Sequence, residues 1–254
     1  MSRQGPTFII AGAPRSGTTW LYELLNRHPG VFMAKPVRPE PKFFLVDELY
    51  ARGVQHYFDT WFAGAGEYPA AGEKTTNYLE SVTAAARIHT HLPNVQLVFI
   101  LREPAHRAYS NWAWSRMNGM ETEDFVTALA REDDRERQLE PRLRFARPHA
   151  YFSRGLYAQM LRPYLERFSR EQVLCLKFDD IIRRPADLTS RLHRFIGVQP
   201  RPDDAVGLDV VNPSENQGDQ MSDDVREQLR QRYAGPNREL AELAGPEFDT
   251  WEEL

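Results

Sequence analysis

The sequence predicts an α/β fold, a three-layer sandwich with a central parallel sheet flanked by helices, forming a single domain over residues 1–254. Three observations predict it. Thr7-Phe-Ile-Ile10, Val95-Gln-Leu-Val-Phe-Ile-Leu101 and Gln172-Val-Leu-Cys-Leu-Lys177 are short apolar runs of the kind buried on both faces of a parallel sheet. Between them lie stretches with helical periodicity. A length of 254 residues suits one large α/β domain and leaves little chain for a second.

Composition narrows the function. A hydrophobic content of 41% and a charged content of 27% are ordinary for a globular protein. The formal charge of −4 offers no electrostatic case for a nucleic-acid partner. The one cysteine, Cys175, lies inside an apolar run and reads as a buried small residue, so no disulfide framework is expected. No apolar run approaches the ~18 residues needed to span a bilayer, and the N-terminus has no long apolar segment. A cytoplasmic protein with no membrane partner is expected.

The first strand runs into Ala11-Gly-Ala-Pro-Arg-Ser-Gly-Thr-Thr-Trp20, and Leu21, Leu24, Leu25 and His28 then mark one helical face. A strand, a glycine-containing turn and a helix N-terminus form an anion cradle, because the first helical amides lack partners and the helix dipole favours negative charge there. The spacing Gly12-x4-Gly17-Thr18-Thr19 is that of a P-loop with Thr18 in place of the usual Lys. Such a loop grips one phosphate through amides and the hydroxyls of Ser16, Thr18 and Thr19. Arg15 supplies the fixed positive charge. One phosphate carrying a reactive group suits it better than a triphosphate.

The chain then enters His28-Pro-Gly-Val-Phe, a helix stop and a short extended run, with His28 satisfying local carbonyls and the helix dipole. Pro36, Pro39 and Pro41 hold residues 35–44 extended around Glu40. Tyr57 with Trp61, and Phe58 with Phe62, predict a helix with an aromatic face. Ser81 caps a helix to Leu92, with His91 at its end. The strand 95–101 reads as central and opens into Arg102-Glu-Pro-Ala-His-Arg-Ala-Tyr-Ser110, where Pro104 suits a first helical turn. Ligands of parallel sheets bind beyond the carboxyl ends of strands, which places Arg102 well, and Ser110 lies two turns into the helix.

Further on, Glu121 to Arg137 reads as a mostly solvated helix. Tyr157 to Phe168 is strongly periodic, and Pro185 to Gly197 is a helix closed by glycine. Residues 199–221 are rich in Pro, Asp, Asn and Gly and read as a long loop. Asp223 to Trp251 reads as two helices around Pro236. The strand 95–101 ends in Leu-Arg, without the Asp that helps hold Mg²⁺ in P-loop enzymes, and no His/Cys cluster stands out, so no metal is expected.

Pro14-Arg-Ser-Gly-Thr-Thr-Trp20 resembles the 5′-phosphosulfate loop of sulfotransferases that use 3′-phosphoadenosine 5′-phosphosulfate (PAPS). Arg102 and Ser110, eight apart, resemble the 3′-phosphate signature of the same enzymes. The segment around Glu40 resembles the Lys-Glu-Pro-His-Phe-Phe segment of the heparan-sulfate type, with Pro39 and Lys42 in place of Lys and His. Gly72-Glu-Lys-Thr-Thr-Asn-Tyr78 is similar to its Glu-Lys-Ser/Thr-Pro-x-Tyr segment, with Thr76 where Pro is common.

The resemblance covers nearly the whole chain. It implies PAPS as donor cofactor, bound by Arg15, Ser16, Gly17, Thr18, Thr19, Trp20, Arg102 and Ser110. It implies Glu40 as the general base, with Lys74 and Arg15 stabilising the transferring group, and a hydroxyl of a carbohydrate or small natural product as acceptor. His91-Leu-Pro resembles the base segment of cytosolic small-molecule enzymes and ranks below Glu40. The competing readings are an ATP-dependent P-loop kinase, against which Thr18 counts, and a catalytically inactive module that binds adenosine 3′,5′-bisphosphate (PAP).

Overall fold

The structure, a computed structural model, describes residues 5–209, 221–245, 248, 250 and 251. In chain order the regular elements begin β1 (Phe8–Gly12), α1 (Thr18–Arg27), β2 (Val31–Met33), α2 (Asp47–Tyr50), α3 (Val54–Trp61), β3 (Ala70–Lys74), α4 (Val82–His91) and β4 (Gln96–Leu101). There follow α5 (Pro104–Met117), α6 (Phe125–Ala130), α7 (Glu132–Arg137), α8 (Tyr157–Leu165), β5 (Val173–Lys177), α9 (Asp179–Arg183), α10 (Pro185–Phe195) and α11 (Asp223–Ala244). The chain forms two compact units, residues 1–101 with 163–210, and residues 102–162 with 211–254.

The first unit holds the sheet, five strands in the order β2-β3-β1-β4-β5, all paired in parallel. The α/β fold with an all-parallel sheet flanked by helices is the one expected. The middle strand is β1, while the expected central strand, β4, lies between β1 and β5. The chain leaves β1 for β2 on one side and β4 for β5 on the other. The loop after β1 therefore opens at the point where strand order reverses, the usual ligand crevice of such sheets. Leu21, Leu24 and Leu25 of α1 join Phe8, Ile10, Val98, Ile100, Leu188 and Leu192 in the core. Cys175 is buried in β5, and burial pushes its thiol up to about 12.

The strand β3 has no counterpart in the sequence reading. Its residues, Ala-Ala-Gly-Glu-Lys, have poor strand propensity, yet all five are buried. Pairing with β1 on one side and β2 on the other holds them extended. The register sets Ile9 beside Glu73 and Ile10 beside Lys74.

The second unit has its own core of Trp112, Phe125, Ala128, Tyr151, Leu229 and Tyr233. Two expectations are corrected here. The stretch 121–137 is not one solvated helix but α6 and α7, broken at Arg131. Asp124 caps α6 through the Thr127 amide, and Glu121 and Glu132 are buried. Glu121 accepts hydrogen bonds from Tyr151, Arg135 and the amides of Thr122 and Glu123. In the C-terminal stretch Asp223–Ala244 is one helix, α11, which continues through Pro236 where two helices were expected. Leu229, Tyr233, Leu240 and Ala244 are its buried residues, and their spacing makes a single stripe across the proline. Within the 199–221 stretch, residues 210–220 lie outside the described residues. No described helix is long and apolar enough to cross a membrane.

Candidate functional site

The turn after β1 brings its backbone close against its own unit at two glycines. Gly17 sits at the N-cap of α1 with φ +89°, and a Cβ there would lie 2.6 Å from Ile181 Cδ1. A Cβ on Gly12 would lie 2.6 Å from Leu79 Cβ. Arg15 also has positive φ, at 66°. No described side chain caps α1, so its first amides face the turn, with the buried Ser16 and Thr18 beside them. The Ala13 amide bonds the Ile100 carbonyl of β4, which ties the turn across the strand-order switch. Trp20 is buried, and its indole N–H reaches the Leu208 carbonyl at 3.4 Å.

Glu40 and Lys74, 34 positions apart in the chain, meet at the carboxyl end of β3. Lys74 Nζ donates to Glu40 Oε1 at 2.5 Å. The lysine side chain is only 3% exposed and the glutamate 13%. The Thr76 amide donates to Glu40 Oε2 at 3.2 Å, and the Thr76 hydroxyl lies 3.3 Å from the same oxygen. Proline, common at this place in the related segment, has no N–H to give, so Thr76 adds a bond to Glu40. Lys42 stands nearby. Burial holds its ammonium below the usual range, Glu40 opposes this, and Lys74 adds to it.

Beneath the pair lies Glu73, which the sequence reading assigned no role. It is fully buried and accepts from Tyr57 Oη at 2.6 Å, Thr75 Oγ1 at 2.6 Å and Tyr78 Oη at 3.1 Å. Burial pushes its carboxyl up to about 7; the donors from Thr75, Tyr57 and Tyr78 oppose this, and the Glu40 charge adds to it. The sequence signal was available, a carboxylate beside Lys74 with hydroxyls two and five positions on. Its burial was not.

Arg102 and Ser110 belong to the second unit, and both are buried. Arg102 precedes α5, its carbonyl accepting from Tyr157 Oη at 2.8 Å. Ser110 lies two turns into that helix. Glu103 caps α5 through the amides of Ala105 and His106.

A second cluster in the first unit gathers His28, His193 and Asp204, whose ligand-type atoms lie within 4.8 Å of one another. Both histidines accept a backbone amide at Nδ1, from Gly30 at 3.0 Å and Arg201 at 3.1 Å. Each ring therefore carries its proton on Nε2 and presents a donor there, not a metal-binding lone pair. His28 Nε2 donates to the Gln199 carbonyl at 2.9 Å. The cluster thus ties α1 and α10 to the segment that follows α10. His91, at the end of α4, bonds Tyr50 Oη at 2.8 Å and is a structural residue.

The sulfotransferase domain family matches residues 6–214. The chain is similar to mouse (Mus musculus) heparan sulfate glucosamine 3-O-sulfotransferase 3A1, at 27% identity over 267 residues, covering 97% of this chain and 65% of that protein. It is also similar to the bifunctional heparan sulfate N-deacetylase/N-sulfotransferase of Drosophila melanogaster, at 28% over 215 residues, covering 77% and 20%. The chain thus spans between 20% and 65% of the lengths of these two relatives. Among solved structures, a sulfotransferase from Alicyclobacillus acidocaldarius superposes with TM-score 0.78 at 28% identity, covering 95% of this chain and 96% of that one. Mouse sulfotransferase SULT7A1, complexed with PAP, shares the fold at TM-score 0.56 and 14% identity, covering 93% and 86%. A glycine-bounded loop at the sheet's switch point, a buried Lys–Glu pair beside it and a match over residues 6–214 lead to one conclusion: the chain belongs to the sulfotransferase domain family, enzymes that draw their sulfuryl group from PAPS.

Proposed function

We propose that this protein transfers the sulfuryl group of PAPS to a hydroxyl of a carbohydrate or a small natural product, with Glu40 as general base. The observation that carries the reading is the Lys74–Glu40 pair at 2.5 Å, buried at the end of the strand next to β1. A carboxylate there receives a proton, and an ammonium beside it faces developing negative charge. The chemistry of two sets of residues supports a nucleotide phosphorylated at both ends of its ribose. The uncapped amides of α1, with Arg15, Ser16, Gly17, Thr18, Thr19 and Trp20, would hold the 5′ end. Arg102 and Ser110 would hold the 3′-phosphate, a guanidinium fork and a hydroxyl suiting that group.

PAPS supplies a sulfuryl group joined to its 5′-phosphate, so PAP is the leaving group. The protein's own residues do the rest. Glu40 takes the acceptor's hydroxyl proton as that oxygen bonds to sulfur. Lys74 and Arg15 offset charge on the sulfuryl oxygens and on the phosphate released as the S–O bond breaks. In the pair as it stands, each group holds the other, so Lys74 turns from Glu40 to the transferring group during the reaction. The likeness to heparan sulfate enzymes supports a sugar as acceptor, and the glucosamine 3-O-sulfotransferase among them supports a hydroxyl on it.

The test is Glu40→Gln, with PAP release from PAPS measured over a panel of hydroxylated saccharides and phenols. Turnover should fall by roughly 100-fold or more, with PAP affinity by calorimetry unchanged. Turnover that survives the change refutes the base assignment.

A further inference from the structure

Glu40 sits on a loop with no regular structure, and something must fix its place. The loop's backbone is held through hydroxyls that converge on Glu73. The Lys42 amide donates to Thr75 Oγ1 at 3.2 Å, and that hydroxyl in turn donates a hydrogen bond to Glu73 Oε2. The Phe44 amide donates to Tyr78 Oη at 3.3 Å, and that hydroxyl donates to Glu73 Oε1. Tyr57 donates to Oε1 as well, and its ring stacks on Phe43 at 4.7 Å and 16°. Lys42, between the two relays and Glu40, has φ 52°, a strained conformation for a residue with a side chain. Such a position persists where its surroundings determine it.

We propose that Glu73 is a positioning residue for the reaction: through the Thr75 and Tyr78 hydroxyls it fixes the backbone of residues 42–44 and thereby sets Glu40 against Lys74. Each relay has a direction. A hydroxyl owns one proton, and only while it donates that proton to Glu73 are its lone pairs turned to the loop amide. Ionised, the Glu73 carboxylate accepts from both sides at once; burial pushes its carboxyl up to about 7, so both relays hold their direction above that pH. A glutamine presents an NH₂ to one side and reverses one relay. Glu73 need not touch the acceptor; the Glu40 charge reaches it from the loop, and the hydroxyls of Tyr57 from α3 and of Thr75 and Tyr78 after β3 meet its oxygens.

The inference rests on Glu40 being the base, and the experiment separates the two. PAP release from PAPS is measured with the member of the saccharide and phenol panel that the wild type turns over fastest, and also in water alone, where water takes the sulfuryl group and yields sulfate. Glu73→Gln should slow turnover about tenfold or more, a misplacement effect, while PAP affinity stays within about twofold. On the Glu40→Gln background the same change should cost less than about twofold, because its effect runs through Glu40. Thr75→Val should slow turnover comparably, and Thr75→Ser, which restores the hydroxyl, should recover most of it.

Equal losses on both backgrounds would reduce Glu73 to a structural residue and overturn the proposal. So would wild-type turnover in Glu73→Gln, or a Thr75→Ser variant as slow as Thr75→Val. Should Glu73→Gln fail to fold, the Thr75 pair decides. If Glu40→Gln itself turns over normally, the base assignment fails instead, a pattern distinct from all of these.

Discussion

At the scale of single residues, burial works against charge at two places in the first unit. At Glu73 three donating hydroxyls offset part of it. At His193 two neighbours add to it. Burial comes first, then the neighbouring His28 and the Arg201 guanidinium, with Asp204 opposing, and the imidazole is held down to about 4. Protonation would also put a proton on Nδ1, against the Arg201 amide that now donates to it. In the unfolded chain the same ring takes its proton near ~6.5. Between those values the unfolded state binds the extra proton and the folded state does not, so stability is lost as pH falls from ~6.5 towards 4. We expect His193→Asn to remove this dependence, since the Asn carbonyl can still accept from Arg201. Melting temperatures of wild type and variant should converge on going from neutral pH to pH ~4.5. A difference that stays constant over that range would show that His193 does not titrate as proposed.

Among the elements, α11 is where local preference and outcome part company. Pro236 lacks the N–H that would continue the ladder and removes one hydrogen bond from the helix interior. The stripe Leu229, Tyr233, Leu240 and Ala244 nevertheless carries the helix through. Pro236→Ala restores the donor and should stabilise the protein by about 1–3 kcal/mol, read as a higher denaturation midpoint with unchanged slope. An unchanged or lower midpoint would mean that the proline's own packing outweighs the missing bond. The proline is also why the sequence suggested two helices: the stop signal is local, and the stripe that overrides it shows only after packing. The same logic runs through the sheet. Strands β1, β4 and β5 were legible because apolar runs name themselves. Strand β3 was not, because Ala, Gly, Glu and Lys give no strand signal and only its neighbours extend it. At the site, the loop, Glu40 and Lys74 were legible from motif order, but their meeting was not, since the two residues lie 34 positions apart. Glu73 stayed hidden for a related reason. An acidic residue in sequence reads as solvated, and only the fold reveals that it is buried among hydroxyls.

For the molecule as a whole, the question is whether the two compact units act as one. The chain passes between them at Leu101–Arg102, in the short connection from β4 to α5, and at Arg162–Pro163, inside α8; the third passage, at 210–211, lies outside the described residues. A boundary between independent domains falls in an exposed linker, not inside a helix. The first unit is also discontinuous in sequence, since β5 and α10 arrive only after the chain has built most of the second. We therefore propose that the chain unfolds as a single domain. Calorimetry should give one transition with a ratio of calorimetric to van't Hoff enthalpy of about 1. PAP should move that transition upward as a whole, by about 2.7 kcal/mol at a hundredfold excess over its dissociation constant. Two resolved transitions, with PAP shifting only one of them, would show that the units unfold separately.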